Sequence, residues 1–290
     1  MTTILLTGGT GQVGTGILAA NRDRFDIVAP GRAELDMANP ASVAAFVAQR
    51  DWDAIINCAA YTAVDRAESE PALAAAINAK APSVLAQAAA RLGIPLLHVS
   101  TDYVFAGDKD GLYVEDDPVA PLGVYGSTKE AGEQAVRTAG GRHIILRTAW
   151  VVSPWGNNFI KTMLRLGRER EELGIVQDQR GCPTSAADIA ETLLHLTSRL
   201  LTDPQAPTGT YHFVNSGEAS WFDLASRCFE RSAEQGNTVP RLKPIATSDY
   251  PTPAKRPANS RLATDRIAKD HGVRPRLWTE AVDDILKNLL

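Results

Sequence analysis

Thr3-Ile4-Leu5-Leu6-Thr7-Gly8-Gly9-Thr10-Gly11-Gln12-Val13-Gly14 stands almost at the start of the chain. An apolar run of strand length passes straight into a glycine-rich turn, and the turn passes into a helical pattern over Gln12–Ala20. The turn satisfies both G-x-x-G-x-x-G (Gly8, Gly11, Gly14) and G-x-G-x-x-G (Gly9, Gly11, Gly14). Glycine permits the tight turn, lets the backbone approach a pyrophosphate and lets the helix pack closely on the strand. The helix start then offers free N–H groups and a positive dipole end to the anion. A bare β–α connection would use similar residues. The position directly after the first strand favours nucleotide binding, with Gly8, Gly11, Gln12, Val13 and Gly14 at the cofactor.

Working outward, the first half alternates short apolar runs with helical stretches. Strands are expected at Thr3–Thr7, Asp26–Ala29, Ala54–Asn57, Pro95–Ser100 and His143–Arg147. Helices are expected at Gln12–Ala20, Pro40–Gln49, Pro71–Leu92 and Tyr125–Thr138. Asn39 before Pro40 reads as an N-cap with proline in the first turn. Pro82 divides or kinks the third helix. This spacing implies an α/β fold, a doubly wound parallel sheet covered on both faces. After Trp150 the pattern loosens. Helices are expected at Asn158–Arg170, Ala186–Leu200, Trp221–Glu234 and Thr279–Leu290, and strands at Gly174–Val176 and Tyr211–Val214. Residues 1–150 form the expected nucleotide-binding lobe, with later segments returning to it, and residues 151–290 mainly a smaller substrate-binding lobe.

The 290 residues exceed one domain of ~150 and can bury a large core without staples. A net charge of −4 argues against a general nucleic-acid binder. No apolar run reaches the ~18 residues of a membrane span, and Met1-Thr2-Thr3 has no basic leader. Cys58, Cys182 and Cys228 are far apart and suit neither a disulfide framework nor a metal site. His143 and His195 read as structural, His98 sits inside a strand, and no metal is expected. These features point to a cytoplasmic protein, monomer or homodimer.

The second strand ends Ala29-Pro30-Gly31-Arg32, without the acidic residue that would grip a ribose 2′-hydroxyl. Arginine suits a 2′-phosphate instead, so Arg32 favours NADPH over NADH. Asp36, four residues on, is a candidate contact on the adenine side. Tyr125-Gly126-Ser127-Thr128-Lys129 is a Y-x-x-x-K. Its phenol and ammonium share one helix face. A cation there favours phenolate and is expected to lower the tyrosine pKa from ~10, which makes Tyr125 a proton donor to a carbonyl during hydride transfer. Thr101, just after the fourth strand, lies at the carboxyl edge where open α/β sheets bind ligands, and can hold the substrate carbonyl.

With these elements in order the chain resembles the extended short-chain dehydrogenase/reductases, and within them the dTDP-4-dehydrorhamnose reductase family. The likeness runs through Thr10–Gly14, Asn57–Asp65 with Ala67-Glu68, Ser100–Phe105, Tyr125–Lys129 and Arg147–Trp150. It continues through Asn157–Phe159, Asp178–Thr184 and Arg256–Leu262. The resemblance implies a Rossmann-like fold and NAD(P)H-dependent reduction of the C4 keto group of a dTDP-linked deoxy-sugar, giving dTDP-L-rhamnose for cell-surface polysaccharide. It implies that Ala60, Tyr61 and Thr62 line the path from pyrophosphate to nicotinamide ribose, and that Lys129 binds that ribose. Thr101 and Asp102 would contact the sugar and Trp150 would border its pocket, although Trp150 also suits plain core packing. Asn259 and Arg261 would serve the nucleotide end of the substrate. Two positions depart from the family's habit: Cys58 stands where alanine is usual, and Arg32 replaces an acidic residue.

Two alternatives share these features. A dehydratase or epimerase of the same fold needs an acid/base pair beside the active threonine, and here Thr101 is followed by Asp102 and Tyr103. A non-catalytic nucleotide-binding regulatory subunit would not need the intact Thr101, Tyr125 and Lys129.

Overall fold

Alternation of side chains along the first strands decides where each layer sits. The computed structural model describes residues 2–290. In chain order its first half contains β1 (Thr3–Thr7), α1 (Gln12–Ala20), β2 (Asp26–Val28), α2 (Pro40–Val47), β3 (Ala54–Asn57), α3 (Val64–Ala67), α4 (Pro71–Ala75), α5 (Ala81–Leu92), β4 (Leu96–Thr101), α6 (Val124–Thr138) and β5 (His143–Thr148). The second half contains β6 (Val151–Val152), α7 (Phe159–Glu169), β7 (Glu172–Val176), β8 (Arg180–Gly181), β9 (Thr184–Ser185), α8 (Ala186–Thr202), β10 (Gly209–His212), β11 (Ala219–Ser220), α9 (Trp221–Glu234), β12 (Arg241–Ile245), α10 (Asp265–His271) and α11 (Trp278–Lys287).

Six parallel strands form the main sheet in the order β2-β1-β3-β4-β5-β10. Successive strand residues point to opposite faces. Ile4, Leu6, Ile56, Ile144 and Leu146 therefore join Ile17 of α1 and Ile189 and Leu193 of α8 in one core. Leu5, Ile55, Leu96 and Ile145 join Val43 of α2, Leu85 of α5 and Val136 of α6 in the other. The chain reverses its winding between β1 and β3, and the crevice at their carboxyl ends is where such sheets bind ligands. Smaller pairs lie outside the main sheet. β12 runs parallel to β7, β6 pairs with β9, and β8 pairs with β11. Helices α7, α9 and α11 bury Ile160, Leu224 and Val282 together.

Asn39 caps α2 as expected, accepting from the Ala41 and Ser42 N–H groups. The expected helix over Pro71–Leu92 is not cut in two. Its α4 and α5 halves are joined by a π-helical turn over Ala76–Lys80. Pro82 has no N–H for the Asn78 carbonyl, and the wider turn absorbs that missing bond. β12 is absent from the sequence reading because Pro244 lies within it. Proline is tolerated there because β12 pairs on one side only, against β7. α10 and the short α3 also escaped the hydrophobic pattern.

The freed Asn78 carbonyl faces Gly132 of α6, where an added Cβ would lie 2.1 Å from that oxygen. Among the described residues no helix is long and apolar enough to cross a membrane. Gly132→Ala is expected to push α6 off the π-turn and destabilise the fold by about 1–3 kcal/mol, the usual cost of overpacking. Urea unfolding of the two proteins measures it, and equal midpoints would refute the contact.

Candidate active site

Gly8 turns the chain with φ +73°, and an added Cβ there would lie 2.6 Å from the Ala59 nitrogen. The glycine turn and the loop after β3 therefore touch, and only hydrogen fits between them. Gly11 N–H closes the turn on Gly8 O at 2.9 Å, and no side chain caps α1. The helix start is thus left free for an anion, a fit for a dinucleotide pyrophosphate. Gln12 also has a second task. Its Oε1 accepts from Ser153 Oγ at 2.7 Å and Asn158 Nδ2 at 3.0 Å, tying the turn to the segment after β6. At the end of β2, Arg32 is exposed, and Glu34 is turned onto the Gly31 N–H rather than onto Arg32. Exposed Asp36 accepts from the Ala38 N–H.

Ala60, Tyr61 and Thr62 follow β3 beside this turn. Asn78, in the π-turn, grips Tyr61 by both backbone groups: its Oδ1 accepts from Tyr61 N and its Nδ2 donates to Tyr61 O. The same Nδ2 reaches Thr128 Oγ1 of α6 at 3.1 Å. Asn78 therefore fixes the loop after β3 against the helix that carries Tyr125 and Lys129. Glu68 of the Ala67-Glu68 motif accepts from the Val124 N–H at 2.9 Å and so caps that helix.

Tyr125 lies one turn before Lys129 on α6. The residue is half-buried, and burial of its phenol pushes the pKa above the usual range, opposed by the neighbouring Thr101 hydroxyl. This corrects the sequence expectation of a lowered tyrosine pKa, because burial, reinforced by the Asp102 carboxylate, disfavours the phenolate. The phenol remains protonated at neutral pH, the form a proton donor requires. Lys129 is buried, and burial brings its pKa down to about 8. Its Nζ donates to Val99 O at 2.7 Å and stands 3.4 Å from His98 Nε2.

Thr101 ends β4. Its hydroxyl donates to Asp102 Oδ1 at 3.0 Å and accepts from Tyr103 N. Asp102 Oδ2 is buried without a partner, and burial pushes the carboxyl up to about 6. Tyr103 packs edge-on against Tyr125, with ring centroids 5.4 Å apart. Thr101, Asp102, Tyr125 and Lys129 thus gather at the carboxyl end of β4.

Trp150 has φ +49°, unusual for a bulky residue, and its ring stacks on Trp221 at 3.6 Å and 10°. Gly181 lies under that ring, where an added Cβ would come within 2.4 Å. Trp221 was missed from sequence, since it reads only as the first residue of a helix. Asn259 is buried and fully engaged within the protein. It donates to the Lys109 and Gly111 carbonyls at 2.7 Å and accepts from Arg261 N and Nε. Arg261 also pairs with Glu218 at 2.7 Å. Asn259 therefore orients Arg261 and pins the 107–111 loop. Among the described residues no three His, Cys, Asp or Glu side chains converge to hold a metal.

A family model described as the RmlD substrate binding domain matches residues 1–290. A dTDP-4-dehydrorhamnose reductase of Sinorhizobium fredii is 43% identical over 288 residues, covering 99% of this chain and 97% of that one. The crystal structure of a dTDP-4-dehydrorhamnose reductase from Clostridium acetobutylicum superposes with TM-score 0.93 at 35% identity, covering 99% of each chain. A dTDP-4-dehydrorhamnose reductase from Bacillus anthracis, solved in complex with NADP, has TM-score 0.91 at 35% identity and the same coverage. A glycine turn, a Tyr–Lys helix and a threonine meet at one sheet edge, and the likeness spans the whole chain. The chain accordingly belongs to the dTDP-4-dehydrorhamnose reductase family of oxidoreductases.

Proposed function

We propose that this protein reduces the C4 keto group of dTDP-4-dehydro-6-deoxy-L-mannose to dTDP-L-rhamnose, with NADPH as the preferred nicotinamide and Tyr125 as the proton donor. The observation that carries the reading is the grouping of Thr101, protonated Tyr125 and buried Lys129 at the carboxyl end of β4. When bound, the dinucleotide supplies a hydride to the sugar C4. The residues supply the rest. The bare start of α1, with Gly8, Gly11, Gln12, Val13 and Gly14, receives the pyrophosphate. Ala60, Tyr61 and Thr62 line the way to the nicotinamide ribose, which Lys129 also binds. Asp36 contributes on the adenine side.

Thr101 holds the substrate carbonyl oxygen and Tyr125 gives its hydroxyl proton to that oxygen as the C4–H bond forms. Charged Lys129 stabilises the phenolate left behind. Asp102 contacts the sugar and Trp150, braced by Trp221, borders it. Arg261, oriented by Asn259, serves the nucleotide end, so the lobe formed mainly by residues 151–290 selects the substrate. The product places the reaction in dTDP-rhamnose biosynthesis, and a cytoplasmic enzyme acting as monomer or homodimer fits it. Oxidation of NADPH that depends on the keto-sugar, followed at 340 nm, is the direct test of the reading.

Tyr125→Phe retains the ring and removes the proton. Its kcat is expected to fall about 10²–10⁴-fold, the usual range for general acid catalysis, with little change in NADPH affinity. A variant keeping a third of the wild-type kcat would exclude Tyr125 as the acid.

Lys129 sets the alkaline limit. Its charge is present below its folded pKa and is lost as pH rises through about 8, so kcat/KM should decline there. Lys129→Met should be slower throughout, bind NADPH more weakly and lack that limb. A limb that persists near pH 8 in Lys129→Met belongs to another group.

Arg32 sets the cofactor choice. Its guanidinium can fork onto a 2′-phosphate, and Glu34 is turned onto the Gly31 N–H rather than onto it. kcat/KM should favour NADPH over NADH about tenfold or more, and Arg32→Ala should erase most of that ratio. A wild type that prefers NADH, or a ratio unmoved in Arg32→Ala, refutes the assignment.

A further inference from the structure

A row of buried polar side chains runs across the carboxyl ends of the central strands, on the face covered by α6. Thr7, Asn57 and His98 are cross-strand neighbours on β1, β3 and β4, and each continues the strand parity of Leu5, Ile55 and Leu96. The row ends on Lys129.

The hydrogen bonds along the row determine where the His98 proton sits. The Ala59 N–H can only donate, so the Asn57 atom that receives it at 3.2 Å is the carbonyl oxygen Oδ1. Thr7 Oγ1 donates to the same oxygen at 2.6 Å. The amide NH2 is thereby turned toward His98 Nδ1 at 2.9 Å, and that nitrogen accepts. A neutral imidazole that accepts at Nδ1 carries its proton on Nε2. Burial, helped by Lys129, holds His98 well below the usual imidazole pKa, so the ring is neutral. Its Nε2–H then stands 3.4 Å from Lys129 Nζ. An ammonium at that distance faces a donor, whereas a neutral amine finds a partner for its lone pair.

We propose that His98, oriented by Asn57 with its proton on Nε2, is a positioning residue that works against the charged form of Lys129 and brings the loss of that charge to lower pH. The consequence for rate rests on the proposed role of Lys129 beside Tyr125; the proton placement does not.

The other groups around Lys129 act in known directions. On its own helix Glu133 favours the ammonium, but it is paired with Arg147 of β5 at 2.7 Å. Tyr125, a turn away, stays a neutral phenol. Cys58, after β3, would favour the ammonium only as a thiolate, and burial pushes that thiol up to about 12. Asp102 and Tyr103 act on Tyr125. Lys80 of the π-turn is exposed, and Asp65 of α3 pairs with Arg256.

Long-range ¹H–¹⁵N correlation spectra of the histidine rings in the intact, ¹⁵N-labelled protein read the tautomer directly, with His98→Gln providing the assignment. His98 should show its proton on Nε2 in the wild type. Asn57→Asp should reverse this, because a carboxylate takes an Nδ1–H and leaves the Nε2 lone pair to Lys129. The Lys129 titration, followed at its ¹³Cε, should then move up by at least about one pH unit. Asn57→Asp/His98→Phe has the same charge without the imidazole, and should move less. A wild-type proton on Nδ1, or equal shifts in the single and double variants, overturns the proposal. If Asn57→Asp does not fold, the wild-type spectrum decides alone. None of these readouts requires turnover, so failure to reduce the keto-sugar would refute the proposed function and leave this inference standing.

Discussion

The seating of α6 on the carboxyl ends of β4 and β5 is the constraint on which the rest of the site depends. That helix carries both Tyr125 and Lys129, so its height and rotation set where a phenol and an amine meet the sheet edge. Three contacts hold it. Glu68 caps its first turn, where a carboxylate also complements the helix dipole. The Asn78 carbonyl meets Gly132 at mid-helix, with room only for hydrogen. Further along, Glu133 receives Arg147 through three hydrogen bonds of 2.7–3.2 Å. Burial alone would raise the Glu133 carboxyl, and Arg147 holds it below the usual range instead. Breaking such a buried pair costs about 3–5 kcal/mol, because the survivor is left charged and dry.

The same burial acts in opposite senses on the two chemical groups. It pushes the phenol of Tyr125 up and the amine of Lys129 down, since both charged forms lose water. The result suits a reductase: an acid that stays protonated, beside a base whose charge is within reach of working pH. The polar row of Thr7, Asn57 and His98 belongs to this electrostatic arrangement. A core built purely for stability would have continued the apolar strand pattern to its end.

The segment after β6 is joined to the glycine turn itself. Gln12 bonds to Ser153 and Asn158, so the residue at the start of α1 is also a strut to the segment that follows β6. Asp65 performs a similar service through Arg256 and the Ala254 N–H. Residues in the loops after β1 and β3 therefore sense the position of the later chain. The strained backbone of Trp150, its stack on Trp221 and the cradle at Gly181 show three distant segments committed to one aromatic platform.

The sequence by itself determined the parallel sheet, both helical layers, the glycine turn and the Tyr125–Lys129 pair. These follow from periodicities of two and 3.6, from glycine spacing and from i, i+4 geometry, all local properties. It left the π-turn, the strand at Arg241–Ile245 and the partners of Lys129 undecided. Pro82 and Pro244 read locally as breaks, yet a wider turn absorbs the first and a one-sided pairing tolerates the second. His98 read only as a residue inside a strand, because nothing near it in sequence can say which face of β4 meets α6. Only the register of β1, β3 and β4 aligns Thr7, Asn57 and His98, and only the packing of α6 brings Lys129 to the end of that row. Burial, the leading cause of the Asp102, Tyr125 and Lys129 shifts, is a property of the assembled layers, and so the direction of the Tyr125 shift was decided by the tertiary structure.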